Sequence, residues 1–199
     1  MTWDLQAGKA RLGIAAGDTT KDAFVTAALN VALAAAEGYC NRKFLYAVER
    51  ATFTHESWPT FQLQRFPIEQ VVSMTCDGTA ISKYHVQAGT GLVITDGIVG
   101  GHQVTIDYAG GFKSPLPADL LAALWMCFDA WYPSISQVGS TGAAAGGGAI
   151  RSISSGGSKV DFFEASAGGG GGGLTGLDSG SGLPFGALNL LQPYRLVLA

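Results

Sequence analysis

Apolar residues recur at a helical spacing through residues 21–40. Phe24, Ala28, Val31 and Ala35 fall on one face, and Val25, Leu29, Ala32, Ala36 and Tyr39 on the adjacent one. That period predicts a long helix with a wide, alanine-rich apolar arc, which permits close approach of neighbouring helices. A short helix is predicted before it, over about residues 4–12. Thr19 stands three residues before Asp22, the spacing of a capping box with Asp in place of Glu. Residues 45–111 change to a period of two. Runs at 47–54, 61–64, 71–76, 79–86, 92–95 and 103–108 predict four to six short antiparallel strands. Asp77-Gly78 and Asp96-Gly97 each mark a tight hairpin turn between such runs.

A third helix is predicted over about 117–132. Pro117 suits its first position, and Pro133 is expected to stop it. Leu120, Leu121, Leu124, Trp125, Phe128, Trp131 and Tyr132 make it apolar nearly all round. Such a helix is expected to be buried on all sides. In a domain this small, that burial is expected to involve a neighbouring subunit as well as the domain's own sheet and helices. The expected fold class is α+β: N-terminal helices and a C-terminal apolar helix, with an inserted antiparallel β subdomain. An extended glycine-rich C-terminal arm follows.

The expected organisation is a domain over 1–137, a tether over 138–182 and an apolar terminus over 183–199. The tether contains the run Gly168 to Gly173 and one strand-prone islet over 159–164. Its root-mean-square reach is ~35–40 Å for about 44 residues, if flexible. A greasy end on such a tether suits docking on something outside its own globule. In the islet, Val160, Phe162 and Phe163 are candidates to add a strand to a partner's sheet edge. In the terminus, Leu183, Pro184, Phe185, Leu188, Leu191, Pro193, Tyr194 and Arg195 are candidate partner contacts. Tyr and Arg are enriched at interface hot spots. The alternative destination for the terminus is its own domain.

Composition points the same way. The hydrophobic fraction is 47% and the charged fraction 14%, against about 25% in typical soluble domains. With a mean hydropathy of +0.24, much surface is expected to lie against other copies or partners. Net charge is −3, which lacks the basic balance of a nucleic-acid-coating protein. No apolar run is expected to span a membrane. The first residues lack the pattern of a signal peptide. Cys40, Cys76 and Cys127 match neither a disulfide framework nor a zinc spacing, so a reducing compartment is expected.

Catalytic constellations are not found. His55, His85 and His102 lie on strand or turn segments without ligand spacing, and read as ordinary sheet or surface positions. Gly168 to Gly173 matches a dinucleotide fingerprint trivially, without the strand and helix that motif needs. Gly156-Gly157-Ser158-Lys159 lacks phosphate-loop order. No metal and no cofactor is expected, and no enzyme activity.

Four local patterns carry a resemblance. Lys9 to Ile14 with Asp18 to Asp22 resembles a "K-x-x-L-x-I" plus acidic turn. Glu37-Gly38-Tyr39-Cys40-Asn41-Arg42-Lys43-Phe44 resembles "E-x-Y-T-G-R-x-F", with Cys40 and Asn41 in place of Thr and Gly. Arg65 to Ile68 with Val71 to Met74 resembles a proline-containing strand pair. Val104 to Phe112 with Pro117 to Leu124 resembles "V-x-Y-x-A-G-Y … P-x-x-L-x-x-A". In order and spacing, over residues 4–132, the chain resembles the head-tail connector (adaptor) proteins of long-tailed double-stranded DNA phages and gene transfer agents.

The resemblance implies a structural virion protein of the neck, assembled in the host cytoplasm. Such adaptors form a homo-oligomeric ring, usually of twelve copies, below the portal. The ring extends the DNA channel and meets a stopper or tail component. Double-stranded DNA would pass through without sequence-specific binding, and no membrane is involved. Phe24, Val31, Ala35, Trp125 and Trp131 are the candidate ring contacts. The alternatives are a stopper or tail terminator, which are usually β-dominated, and a small enzyme or ligand-binding protein.

Overall fold

The computed structural model describes residues 2–55, 59–97, 102–138, 153–155, 158–160, 178 and 181–196. Helices and antiparallel sheets make the fold α+β. The chain divides into two compact units, one of Met1–Cys40 with Leu116–Ala199, the other of Asn41–Pro115.

The first unit is helical. Its helix α1 spans Leu5–Arg11, and Asp4 caps it by accepting from the Ala7 N–H at 2.8 Å. Helix α2 spans Asp22–Cys40. Gly8 lets the two approach, because a Cβ there would lie 2.9 Å from Val25 Cγ1. Lys9 sits at this junction and is 1% exposed. Its Nζ donates to the Ala16 carbonyl at 2.8 Å and lies 2.8 Å from Asp22 Oδ1. Asp22 was expected to close a capping box with Thr19. It pairs with Lys9 instead, because a buried ammonium needs a counter-charge.

Helix α3 spans Ala118–Val138. It runs through Pro133, where a stop was expected. A proline inside a helix removes one backbone hydrogen bond and kinks the helix without having to end it. Ser136 Oγ donates to the Pro133 carbonyl at 3.0 Å in this last stretch. The core lies where α2 and α3 pack together: Val25, Ala28, Ala32, Ala36 and Cys40 of α2 and Leu120, Leu124, Trp125, Phe128 and Trp131 of α3 are all buried. Trp3 closes one end, its ring centroid 4.6 Å from that of Trp125. Arg11 ties α1 to α3 through two bonds to the Asp129 carboxylate, at 2.8 and 2.6 Å.

By length and mean hydropathy α2 is apolar enough to cross a membrane, contrary to the expectation that no run would be. Small alanines carry that hydropathy. In this unit they form the buried face on which α3 packs.

The second unit is a β subdomain with seven strands among its described residues. They are β1 (Ala47–His55), β2 (Thr60–Gln62), β3 (Ile68–Cys76), β4 (Thr79–Ala80), β5 (Tyr84–Gln87), β6 (Leu92–Thr95) and β7 (His102–Gly110). One sheet has the order β1-β7-β3-β4 and the other β2-β6-β5, all pairs antiparallel. The count exceeds the expected four to six because the run 79–86 divides. Ile81 donates to the Met74 carbonyl, and the chain then leaves the first sheet for the second.

Asp77-Gly78 does form the tight hairpin turn, with φ of 48° and 80°. Asp96-Gly97 does not join hairpin partners. β6 before it pairs with β2 and β5, while β7 beyond pairs with β1 and β3. Phe61, Leu63, Phe66, Met74, Val93, Val104, Ile106 and Tyr108 fill this unit's core.

Farther along, β8 (Ile153–Ser155) pairs with β9 (Ser158–Val160). Helix α4 (Phe185–Leu191) and a 3-10 turn (Gln192–Tyr194) end the described chain, within the helical unit.

Candidate functional site

The C-terminal segment closes onto its own helical unit, the second of the two destinations the sequence allowed. A turn prepares it: Asp178 Oδ2 accepts from the Ser181 N–H at 2.8 Å and from Ser181 Oγ at 2.9 Å. Leu183, Ala187 and Leu191 follow at a spacing of four and are all 0% exposed. They place α4 against α3. Polar contacts then hold the end. Tyr194 donates its hydroxyl to Asp119 Oδ1 at 2.6 Å, and Tyr39 donates to Gln192 Oε1 at 3.0 Å. The Leu196 N–H donates to the Cys40 carbonyl at 2.9 Å. The Arg195 guanidinium sits 5.4 Å from the Tyr39 ring centroid.

The candidate partner contacts therefore separate. Leu183 and Leu191 are core residues of their own unit, and Pro184, Leu188 and Tyr194 are half-buried. Phe185, Pro193 and Arg195 face outward, with Phe185 57% exposed. A Cβ on Gly186 would lie 3.2 Å from Met126 Sδ, so exposed Met126 of α3 borders the same surface. Of the islet, Val160 ends β9 opposite Ile153, while Phe162 and Phe163 lie outside the described residues.

The candidate ring contacts separate too. Phe24, Val31 and Ala35 are half-buried on α2. Trp125 and Trp131 are buried within the helical unit itself. Helix α3 is not buried all round in its own chain, since Ala122, Met126 and Asp129 are exposed.

The β subdomain holds features that hydrophobic patterning did not single out. Arg42 is buried, its guanidinium carbon 3.4 Å from the Phe66 ring centroid and 5.4 Å from that of Phe112. It donates to the Phe66 carbonyl. Asn41, just before it, has φ 52°, which explains why the resembled motif has glycine there. Tyr46, Pro67, Ile68, Glu69, Gly111 and Lys113 line a shallow open depression of about 220 Å³. Lys113 pairs with Glu69 across it and lies 4.8 Å from the Tyr46 ring centroid. Among the described residues no group of three His, Cys, Asp or Glu side chains is placed to hold a metal.

Among the described residues, five carboxyls are held below their ordinary range, those of Asp4, Asp18, Glu69, Asp107 and Asp119. Asp119 is lowered chiefly by the Tyr194 hydroxyl, Asp107 by Arg50 and then Ser73, and Glu69 by Lys113. A carboxyl with a depressed folded-state pKa contributes stability above its unfolded pKa. That contribution is lost as pH falls through the folded value. Urea midpoints are therefore expected to fall between about pH 5 and pH 3. Tyr194→Phe should lower the midpoint at neutral pH and flatten that fall. An unchanged acid slope in the variant would remove Asp119 from this account.

No protein-family model matches the chain, and no curated protein matches it. Among solved structures, the fold is similar to that of a chain from the neck of an empty GTA (gene transfer agent) particle, computed with C6 symmetry. The TM-score is 0.59 at 18% identity, over 98% of this chain and 90% of the other. At that identity the likeness shows a shared fold.

Proposed function

We propose that this chain is a structural protein of the neck of a virion-like particle. In this reading it is the head-tail connector, or adaptor. Its copies form a closed ring below the portal, extend the DNA channel and meet a stopper or tail component. Double-stranded DNA passes through without sequence-specific contacts, and the protein catalyses no reaction. Its place is the virion neck, after assembly in the host cytoplasm.

The observation that carries the reading is the fold shared with the GTA neck chain over 98% of this one. Two sequence features support it. The resemblance to adaptors covers both units, and the low charged fraction suits a chain with extensive partner contacts. The helical unit speaks against a β-dominated stopper or tail terminator.

In this reading the exposed part of the terminus meets the portal, with Phe185 as anchor and Pro193 and Arg195 beside it. The half-buried α2 residues Phe24, Val31 and Ala35 meet a neighbouring copy. The islet containing Val160, Phe162 and Phe163 adds a strand to a partner's sheet. Phe185→Glu tests the portal contact. Because Phe185 is exposed, the variant should keep its stability within about 0.5 kcal/mol. Its binding to the portal should weaken at least about tenfold, or about 1.4 kcal/mol. Unchanged binding would remove Phe185 as the anchor.

A further inference from the structure

We propose that in the assembled ring the C-terminal segment, residues 178–196, is exchanged between copies. Each segment then docks in the groove of a neighbouring copy and not in its own. The proposal rests on the reading of the chain as a ring component and names the clasp that joins its copies.

The segment is a unit in itself. Its opening turn is closed by bonds within residues 178–183. The Asp178 N–H donates to the Leu183 carbonyl at 2.9 Å, and the Gly182 N–H to the Asp178 carbonyl at 2.8 Å. Helix α4 and the 3-10 turn follow directly. The groove is a unit as well. α3 receives the apolar row of α4, while Asp119, Tyr39 and the Cys40 carbonyl hold the end. Every copy carries the same groove, so a neighbour's segment would make the same contacts. Exchange of an identical element is a low-cost route from one copy to several.

The chain that leads to the segment is far longer than its own groove requires. Gly186 lies beside Met126, and Tyr194 beside Asp119. The segment therefore runs antiparallel to α3, and its start lies toward the end of α3 from which the chain departs. The stretch of α3 from Met126 to Val138 spans about 18 Å at 1.5 Å per residue. About six extended residues cover that distance. Residues 139–182 supply about 44. A flexible chain of that length has a root-mean-square reach of ~35–40 Å, about twice the distance needed at home. The surplus suits a bridge to the same groove on the next copy. In a ring that groove is held at a fixed distance, so the linked segment meets it at high effective concentration.

A copy without neighbours closes on itself, which keeps Leu183, Ala187 and Leu191 covered until assembly. In the ring the same three residues become the joint between copies. Phe185 faces outward in either arrangement, so the portal contact is unaffected.

Met126→Cys combined with Gly186→Cys tests the exchange, in a chain that also carries Cys76→Ser. Met126 is exposed, and a shorter side chain there makes room for the Cβ added at 186. Cys40 and Cys127 are buried. Circular dichroism checks that the variant is folded. A short bis-maleimide is added to the dilute chain and to the assembled oligomer, and masses are read under denaturing conditions. The dilute chain should stay at 20.5 kDa, linked within itself. The oligomer should give multiples of 20.5 kDa. The same variant without residues 141–174 keeps about ten linking residues, enough for the return to its own groove, and should link only within the chain. Oligomers that yield only 20.5 kDa chains overturn the exchange and leave the ring reading standing. Multiples that persist in the shortened chain also overturn it, since adjacent surfaces would then suffice. A chain that forms no oligomer even with the portal overturns the ring reading, and this clasp with it.

Discussion

Gly111→Ala is expected to destabilise the β subdomain by about 3 kcal/mol or more. Three backbone segments converge at this residue. The Gly111 N–H donates to the Pro67 carbonyl at 2.9 Å, and the Phe112 N–H donates to the Phe44 carbonyl at 2.7 Å. Leu45 and Phe112 form an isolated parallel bridge. A Cβ at position 111 would lie 2.6 Å from the Leu45 carbonyl oxygen and 2.9 Å from that of Phe44. Both are main-chain atoms, the Phe44 oxygen held by the Phe112 N–H and the Leu45 oxygen by the Arg65 guanidinium, so neither yields as a side chain would. The residue's φ of 95° adds strain for any side chain.

The neighbouring Gly110 is as confined, with a Cβ there 2.5 Å from the Arg65 carbonyl oxygen. By thermal denaturation the loss should read as a fall of about 6–12 °C for a chain of this size. Gly78→Ala is the control. Its φ is 80°, but nothing lies within 4 Å of the added Cβ. It should cost only about 1–2 kcal/mol of left-handed strain. Equal losses in the two variants would mean that conformation alone, and not crowding, demands glycine at 111.

The second large effect is expected at the C-terminus. Leu191→Ala should cost about 2–5 kcal/mol, because a fully buried leucine leaves a cavity that the helices close only in part. Deleting residues 183–199 should be worse. It removes Leu183, Ala187 and Leu191 together and uncovers the face of α3 on which α4 packs. The truncated chain should lose near-ultraviolet dichroism from Trp125 and Phe128 and bind hydrophobic dyes. Its loss of partner binding would then report unfolding and not a missing contact. If the truncated chain melts like the full one, the terminus is not part of the helical core. Phe185→Glu separates the two roles, since it alters the exposed side of the same helix.

Much of the fold was legible in the sequence. The period of 3.6 placed α1 and α2 within about two residues, and Asp77-Gly78 marked its turn, because both signals are local. The Pro133 stop failed because one missing hydrogen bond does not outweigh a helix that is otherwise well packed. The division of run 79–86 between two sheets was not legible either, since strand propensity does not specify a partner.

The terminus shows the same limit more sharply. Leu183, Ala187 and Leu191 have the spacing of a buried helical row, but spacing alone does not say whose core they enter. A tether before them made a foreign partner attractive, whereas the structure places them in their own chain. Trp125 and Trp131 were assigned to a neighbour because α3 is apolar nearly all round. The segment that returns from residues 183–196 covers part of that helix. The Arg42 site drew its three phenylalanines from positions 44, 66 and 112, which no window of sequence brings together.

The most direct test of the neck reading is the mass of the purified chain, alone and mixed with the portal of the same particle. The account predicts a closed oligomer of the 20.5 kDa chain seated on the portal. A single 20.5 kDa species in both samples, with no portal-bound material, would contradict it.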